Sequence, residues 1–146
     1  YFCFCNMAQF KLYKLGFDRM FFVKDISDEA AEVQQAAIDA QQAAIAAIRP
    51  GVSAQSVAQA ANEIYDARGY ETGYRTGRSI GMSYLEAPEL KVGDKTILKP
   101  GMTFAVDGGI SVDGLLGGRI GDSIVVTETG SEYLTSYPRK ILIVDR

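Results

Sequence analysis

The clearest hydrophobic pattern lies over residues 102–107. Met102, Phe104 and Val106 fall on one face of a strand, and Thr103, Ala105 and Asp107 on the other. The same period of two runs through Gly118 to Thr127, the longest predicted strand, where Arg119 and Ser123 alternate with Ile120, Asp122 and Ile124. Lys99-Pro100-Gly101 before them suits a type II turn, and Asp113-Gly114 between them marks a hairpin or bulge. Shorter β segments are predicted at Ser131 to Leu134, after a Thr129-Gly130 turn, and at Lys140 to Val144, beyond Tyr137-Pro138. Arg75 to Ile80 is a further strand, interrupted by Gly77. Glu86 and Pro88 shape a loop, and Glu89 to Lys95 reads as a polar loop turning at Gly93-Asp94.

The pattern differs in the first half of the chain. Residues 1–24 read as β structure at Tyr1 to Cys5 and Met20 to Val23, with an irregular join. Ser27 then caps a helix whose first turn carries Asp28 and Glu29, where the helix dipole favours negative charge. From Glu29 to Ile48, Val33, Ala37, Ala40, Ala44 and Ile48 recur at helical spacing, and the alanines call for close packing. Arg49-Pro50-Gly51 ends that helix. Ser53 caps a second helix, Ala54 to Arg68, with Val57, Ala61 and Ile64 inward and Gly69 as its stop. The short connection predicts antiparallel neighbours. The element order predicts an α+β domain, with two helices covering one face of a largely antiparallel sheet.

Composition narrows this. The 146 residues suit one domain, 1–146. A formal charge of −3 without a basic cluster gives no reason to expect nucleic acid. No apolar run approaches the ~20 residues of a membrane span, and no secretory signal is visible. The chain begins without Met, inside an apparent strand, and so reads as a fragment or processed piece. Cys3 and Cys5 share one strand face, with Phe2 and Phe4 on the other; they are expected to be small core residues in a reducing, cytoplasmic compartment. The chain has no histidine. Ser-His-Asp and Cys-His mechanisms, His-ligated metals and a His general base are thereby excluded from these residues.

The stretches G-R-S-I-G (77–81), L-E-A-P (85–88), L-K-P-G-M-T-F-A-V-D-G-G-I (98–110) and G-G-R-I-G-D-S-I-V-V-T-E-T-G (117–130) carry a resemblance. They resemble the G-H-G-I-G, H-E-P-P, L-x-P-G-M-x-F-x-x-E-P-G-I and G-V-R-I-E-D-T-V-x-V-T-E-x-G motifs of the creatinase, prolidase and aminopeptidase P superfamily. The likeness runs from about Ser27 to the C-terminus. It implies the C-terminal portion of a pita-bread domain, with a curved, mostly antiparallel sheet. Active members of that superfamily hold two metal ions with two Asp, one His and two Glu. By the resemblance, the metal-binding His falls on Arg78, a second, catalytic His on Leu85, the first Glu on Asp107 and the second on Gly121. The second Asp falls on Asn6, and the first lies upstream of Tyr1.

A permanent guanidinium charge at a ligand position opposes a bound cation. Arg78 is therefore expected to fill the old metal cavity and pair with Asp107, or else to bind, with Asp107, an anionic or guanidinium-like ligand. Arg119 and Ser123 are candidates to line the same cavity; alternatively Arg119 satisfies sheet-edge carbonyls or Asp122. Tyr84, with Tyr70 and Tyr74, forms a pocket rim or packs in the core. Asp107 and Glu86 are the carboxylates available as a general base if burial raises a pKa. The many glycines lack the G-x-x-x-x-G-K-[ST] context of a phosphate cradle and are assigned to turns and close strand approach. The expected function is that of a hydrolase homologue without the dinuclear metal site and without a cofactor, binding a small polar ligand or a protein partner. An active C–N bond hydrolase, of Xaa-Pro dipeptidase or creatinase type, and a purely structural dimerisation unit are the alternatives. A homo-oligomer is expected because a partial sheet leaves apolar edges uncovered.

Overall fold

The computed structural model describes residues 1–72 and 74–145. In chain order the elements are β1 (Phe2–Phe10), β2 (Tyr13–Val23), α1 (Asp28–Ala47), α2 (Ala54–Ala67), β3 (Gly77–Ser79) and β4 (Glu86–Leu90). They are followed by β5 (Thr103–Val112), β6 (Leu116–Val126), β7 (Ser131–Tyr133) and β8 (Leu142–Val144). Among the described residues the strands form one sheet of order β1-β2-β6-β5-β3-β4, with β7 added to β6 and β8 to β2. Every pairing is antiparallel except that of β2 with β8. The fold is thus α+β, a mostly antiparallel sheet with two helices.

Local chemistry sets the helix boundaries. The Ser27 hydroxyl accepts the Ala30 N–H at 3.2 Å, and that of Ser53 accepts the Ser56 N–H at 3.3 Å. Arg68, just past α2, bonds Asp39 and lies 3.2 Å from Glu32, both earlier in α1, so the helices run antiparallel. The α1 stripe is fully buried, from Val33 through Ala37, Ala40 and Ala44 to Ile48. It rests on β5 and β6 at glycines. A Cβ on Gly108 would stand 2.0 Å from the Ala37 carbonyl oxygen, and one on Gly118 2.9 Å from that of Val33. Two buried glutamines add polar ties. Gln34 receives the Arg119 N–H and donates to the Arg119 carbonyl, both at 3.0 Å. Gln41 donates to the Val106 carbonyl at 3.1 Å and to Asp122 Oδ2 at 2.9 Å.

The β2–β6 contact depends on side chains more than on backbone. Its register has a single Cα pair, Asp18 with Gly121. The Ser123 hydroxyl bridges the gap, accepting the Gly16 N–H at 2.9 Å and donating to the Gly16 carbonyl at 2.8 Å. Arg19, 1% exposed, donates to the Asp18 and Gly121 carbonyls and to Asp122 Oδ1. Asp122, fully buried, also accepts from Thr135 and Arg139, which ties the C-terminal segment to the same point.

Four expectations need correction. The join within residues 1–24 is a regular nine-pair hairpin, closed at Lys11-Leu12 with Lys11 at φ 54°. Cys3 and Cys5 are exposed rather than buried, because among the described residues β1 has β2 alone beside it. Glu86 and Pro88 lie in strand β4, not in a loop; β4 is the opposite edge, where a residue without N–H is tolerated. The Arg75 to Ile80 strand shortens to three residues, with a register shift between Arg78 and Ser79.

Gly108→Ala tests the helix–sheet contact. It is expected to lower unfolding stability by about 1–3 kcal/mol, as overpacking does, measured from urea midpoints. Gly109→Ala, whose Cβ would meet nothing closer than Arg119 Nη1 at 3.5 Å, should change little.

Candidate functional site

The sheet face away from the helices carries the charged residues. Three neighbouring strands place Asp18, Gly121 and Asp107 in one row, since Gly121 pairs with Asp18 on one side and Asp107 on the other. Gly121 is what lets both carboxylates lean over the row. A Cβ there would lie 2.8 Å from Asp18 Oδ2 and 2.9 Å from Asp107 Oδ1, closer than real Cβ atoms come.

Two guanidiniums complete the cluster. Arg78, beside Ala105 on β3, puts Nη1 2.5 Å from Asp107 Oδ2 and donates from Nε to the Tyr84 carbonyl at 2.9 Å. Arg119 directs Nε and Nη2 to Asp18 Oδ2, each at 2.8 Å, and Nη2 lies 3.6 Å from Asp107 Oδ2. Charges therefore alternate as Arg78, Asp107, Arg119, Asp18, with no net charge. The side chain of Asp107 is 3% exposed and that of Arg78 12%. Burial pushes the Asp107 carboxyl above the usual carboxylate range, against the pull of Arg119 and Arg78. Burial also works against the Arg119 charge, but Asp107 and Asp18 outweigh it and hold its pKa above the ordinary value.

Arg119 leads outward from this cluster into a cleft of about 630 Å³. Its floor is the backbone of Gly109, Gly117 and Gly118, and its walls include Cys3, Cys5, Glu71 and Tyr74. Tyr65 supports the floor from the helix side, its hydroxyl accepting the Gly109 N–H at 2.9 Å. Burial pushes that hydroxyl to about 12, so it stays neutral. The Tyr74 ring centre is 5.9 Å from the Arg119 guanidinium carbon.

The sequence candidates separate clearly by position. Arg78, Asp107 and Arg119 meet in one cluster, and Arg119 alone of them lines the cleft. Arg119 bonds Asp18, not Asp122, because Asp122 projects to the helix face. Ser123 is fully buried and spends its hydroxyl on Gly16, so it faces no cavity. Tyr84 sits beside Arg78, with its hydroxyl 3.2 Å from the Met7 carbonyl. Tyr74 lines the cleft, while Tyr70 packs against the core. Glu86 accepts the Ser83 N–H at 2.7 Å and shapes the turn after Gly81. Leu85 is exposed in that turn. Asn6 pairs with Phe17, whereas its neighbour Cys5 pairs with Asp18. Alternation therefore turns Asn6 to the face away from the site, and the hairpin register brings Asp18 there instead.

Sequence reasoning missed Asp18 and Tyr65. Asp18 carries a signal, as a charged pair with Arg19 inside an apolar strand. Tyr65 continues the Val57, Ala61 stripe one turn further.

Both carboxylates of the cluster already face guanidiniums, and among the described residues no group of three His, Cys, Asp or Glu side chains converges on a point as a divalent metal requires.

The profile of Metallopeptidase family M24 matches residues 4–128. The chain is 37% identical over 117 residues to the agropine synthesis cyclase of Rhizobium rhizogenes, covering 79% of this chain and 28% of that protein. It is 34% identical over 139 residues to the uncharacterized peptidase YqhT of Bacillus subtilis, covering 94% and 39%. The crystal structure of dipeptidase PepE from Mycobacterium ulcerans superposes with a TM-score of 0.94 at 31% identity, over 99% of this chain and 40% of that one. The chain thus spans between about a quarter and two fifths of the length of these relatives.

Removing Arg78 leaves Asp107 buried without its nearest partner. Arg78→Ala should cost about 3–5 kcal/mol of stability at neutral pH, read from urea midpoints. A carboxyl whose folded pKa is raised takes up protons on folding, so its ionised form weakens the fold as pH rises through that pKa. The deficit should accordingly shrink as pH falls toward about 4, the unfolded carboxylate value. A deficit independent of pH would assign the loss to packing instead.

Proposed function

The chain belongs to metallopeptidase family M24, and from that premise we propose a divergent pita-bread member that binds a small polar ligand and is inactive as a metallopeptidase. The observation that carries this reading is the Arg78 guanidinium on Asp107, 2.5 Å away, in a position where the family resemblance would have a metal ligand. Arg does not deprotonate at neutral pH, so Arg78 competes directly with a cation for Asp107. Arg119 supplies the ligand contact. Its Nε and Nη2 are held by Asp18, and Nη1, which has no hydrogen-bond partner among the described residues, is the contact for a carboxylate or similar anionic group entering the cleft. Glu71 and Tyr74 on the cleft wall suit a positive group elsewhere on the same ligand.

A second reading, an active C–N bond hydrolase of Xaa-Pro dipeptidase or creatinase type with reorganised chemistry, has one observation in its favour. Burial raises the Asp107 carboxyl toward the range useful for proton transfer. Against it, Arg78 holds the carboxylate that would act as base. We further propose that the protein is a homo-oligomer, supported by the exposed aromatic residues Phe2, Phe4 and Phe10 on the edge strand.

Metal analysis separates these readings. The intact protein, purified without added metal, is expected to carry far less than stoichiometric Mn, Co, Zn or Fe. It should not hydrolyse Xaa-Pro dipeptides with or without added Mn²⁺ or Co²⁺. Stoichiometric metal whose chelation abolishes dipeptide hydrolysis would overturn the proposal.

A further inference from the structure

Cys3 and Cys5 project from the same face of β1, and their sulfurs are 3.2 Å apart. Both residues are exposed, and both line the cleft that Arg119 enters. The chain has no other cysteine, so each is the other's one possible intramolecular partner. A disulfide bond is about 2.05 Å long, so the sulfurs need to close by roughly 1 Å. Residues two apart on an extended strand have Cα atoms roughly 6.6 Å apart, at the upper end of the span disulfides bridge. Among the described residues β1 has β2 alone as a sheet neighbour.

We propose that Cys3 and Cys5 form a reversible dithiol–disulfide site on the cleft wall, oxidised by low-molecular-weight disulfides such as glutathione disulfide. The Cys5 thiol gives its proton to water and its sulfur attacks one sulfur of the small disulfide, breaking that bond, forming a mixed disulfide and releasing one thiolate, which takes up a proton from water. Cys3 then attacks the Cys5 sulfur, forming the Cys3–Cys5 bond and releasing the second thiolate, which takes up the Cys3 proton. Two protein thiols are oxidised and one small disulfide is reduced to two thiols. The order follows from the surroundings. Partial desolvation of its sulfur, its bond to Cys5 and the nearby Cys5 and Asp18 push the Cys3 thiol up to about 12. Cys3 thus keeps its proton while Cys5 reacts. Once Cys5 is in a mixed disulfide, its thiol no longer bonds Cys3, and the resolving step is eased. A bond spanning so extended a pair is strained and hence readily reduced.

The test is oxidation of the intact protein with excess glutathione disulfide, followed by mass spectrometry under non-reducing conditions. The wild type is expected to lose the mass of two hydrogen atoms, to yield a peptide linking Cys3 and Cys5, and to recover both free thiols with dithiothreitol. Cys3→Ser is expected to stop at one bound glutathione on Cys5. Wild-type protein that ends with bound glutathione, with disulfide-linked dimers, or with both thiols still free would overturn the proposal.

Discussion

The carboxylate of Asp122 has no exposure to water, and the way the β1–β2 hairpin joins the rest of the sheet depends on it. A buried carboxylate without partners is very unfavourable, so the chain has to bring donors to it. Arg19 comes from β2, Gln41 from α1, and Thr135 and Arg139 from the C-terminal segment. One oxygen pair therefore fixes three separate parts of the chain against β6. The backbone ladder could not do this alone, since β2 and β6 share a single Cα pair. Ser123 and Arg19 supply bonds to the Gly16, Asp18 and Gly121 backbone where ladder bonds are missing.

That anchoring has a direct consequence on the opposite face. Arg19 and Asp122 project to one side of their strands, so Asp18 and Gly121, their sequence neighbours, face the other. Asp18 is thereby brought beside Asp107 across the open space above Gly121, and Arg119 and Arg78 settle around the two carboxylates. Glycine performs the same task on both faces of β5 and β6. On the helix side Gly108 and Gly118 admit the α1 backbone, and on the other side Gly121 admits two carboxylates. The alternating charges form a closed set, in which each guanidinium is already committed to a carboxylate. What is left for a ligand is the outer part of Arg119 and the cleft it enters, which is why the binding proposal centres there and not on Asp107.

Much of the fold was legible in the sequence because its signals are local. Ser27 and Ser53 cap their helices through residues three positions away, and the Val33 to Ile48 stripe follows from helical geometry alone. The β5–β6 hairpin follows from alternation and from Asp113-Gly114, with Gly114 at φ 76°. Part of the site was legible too. Arg78 and Asp107 occupy fixed places within spaced motifs, and a family resemblance carries such spacing into three dimensions.

The rest was decided by tertiary structure, because it depends on register between strands far apart in sequence. A shift of one residue turns a side chain to the other face, and nothing local in Cys5-Asn6 or Asp18 fixes that shift. The hairpin register, set against β6 by Asp122, selects Asp18 and Cys5 for the site and turns Asn6 away. Strand order likewise decided the exposure of Cys3 and Cys5, since a small apolar residue is buried in a central strand and open on an edge. The sequence by itself determined which elements form and which residues could carry charge on the sheet. Long-range pairing alone determined which of those charges meet.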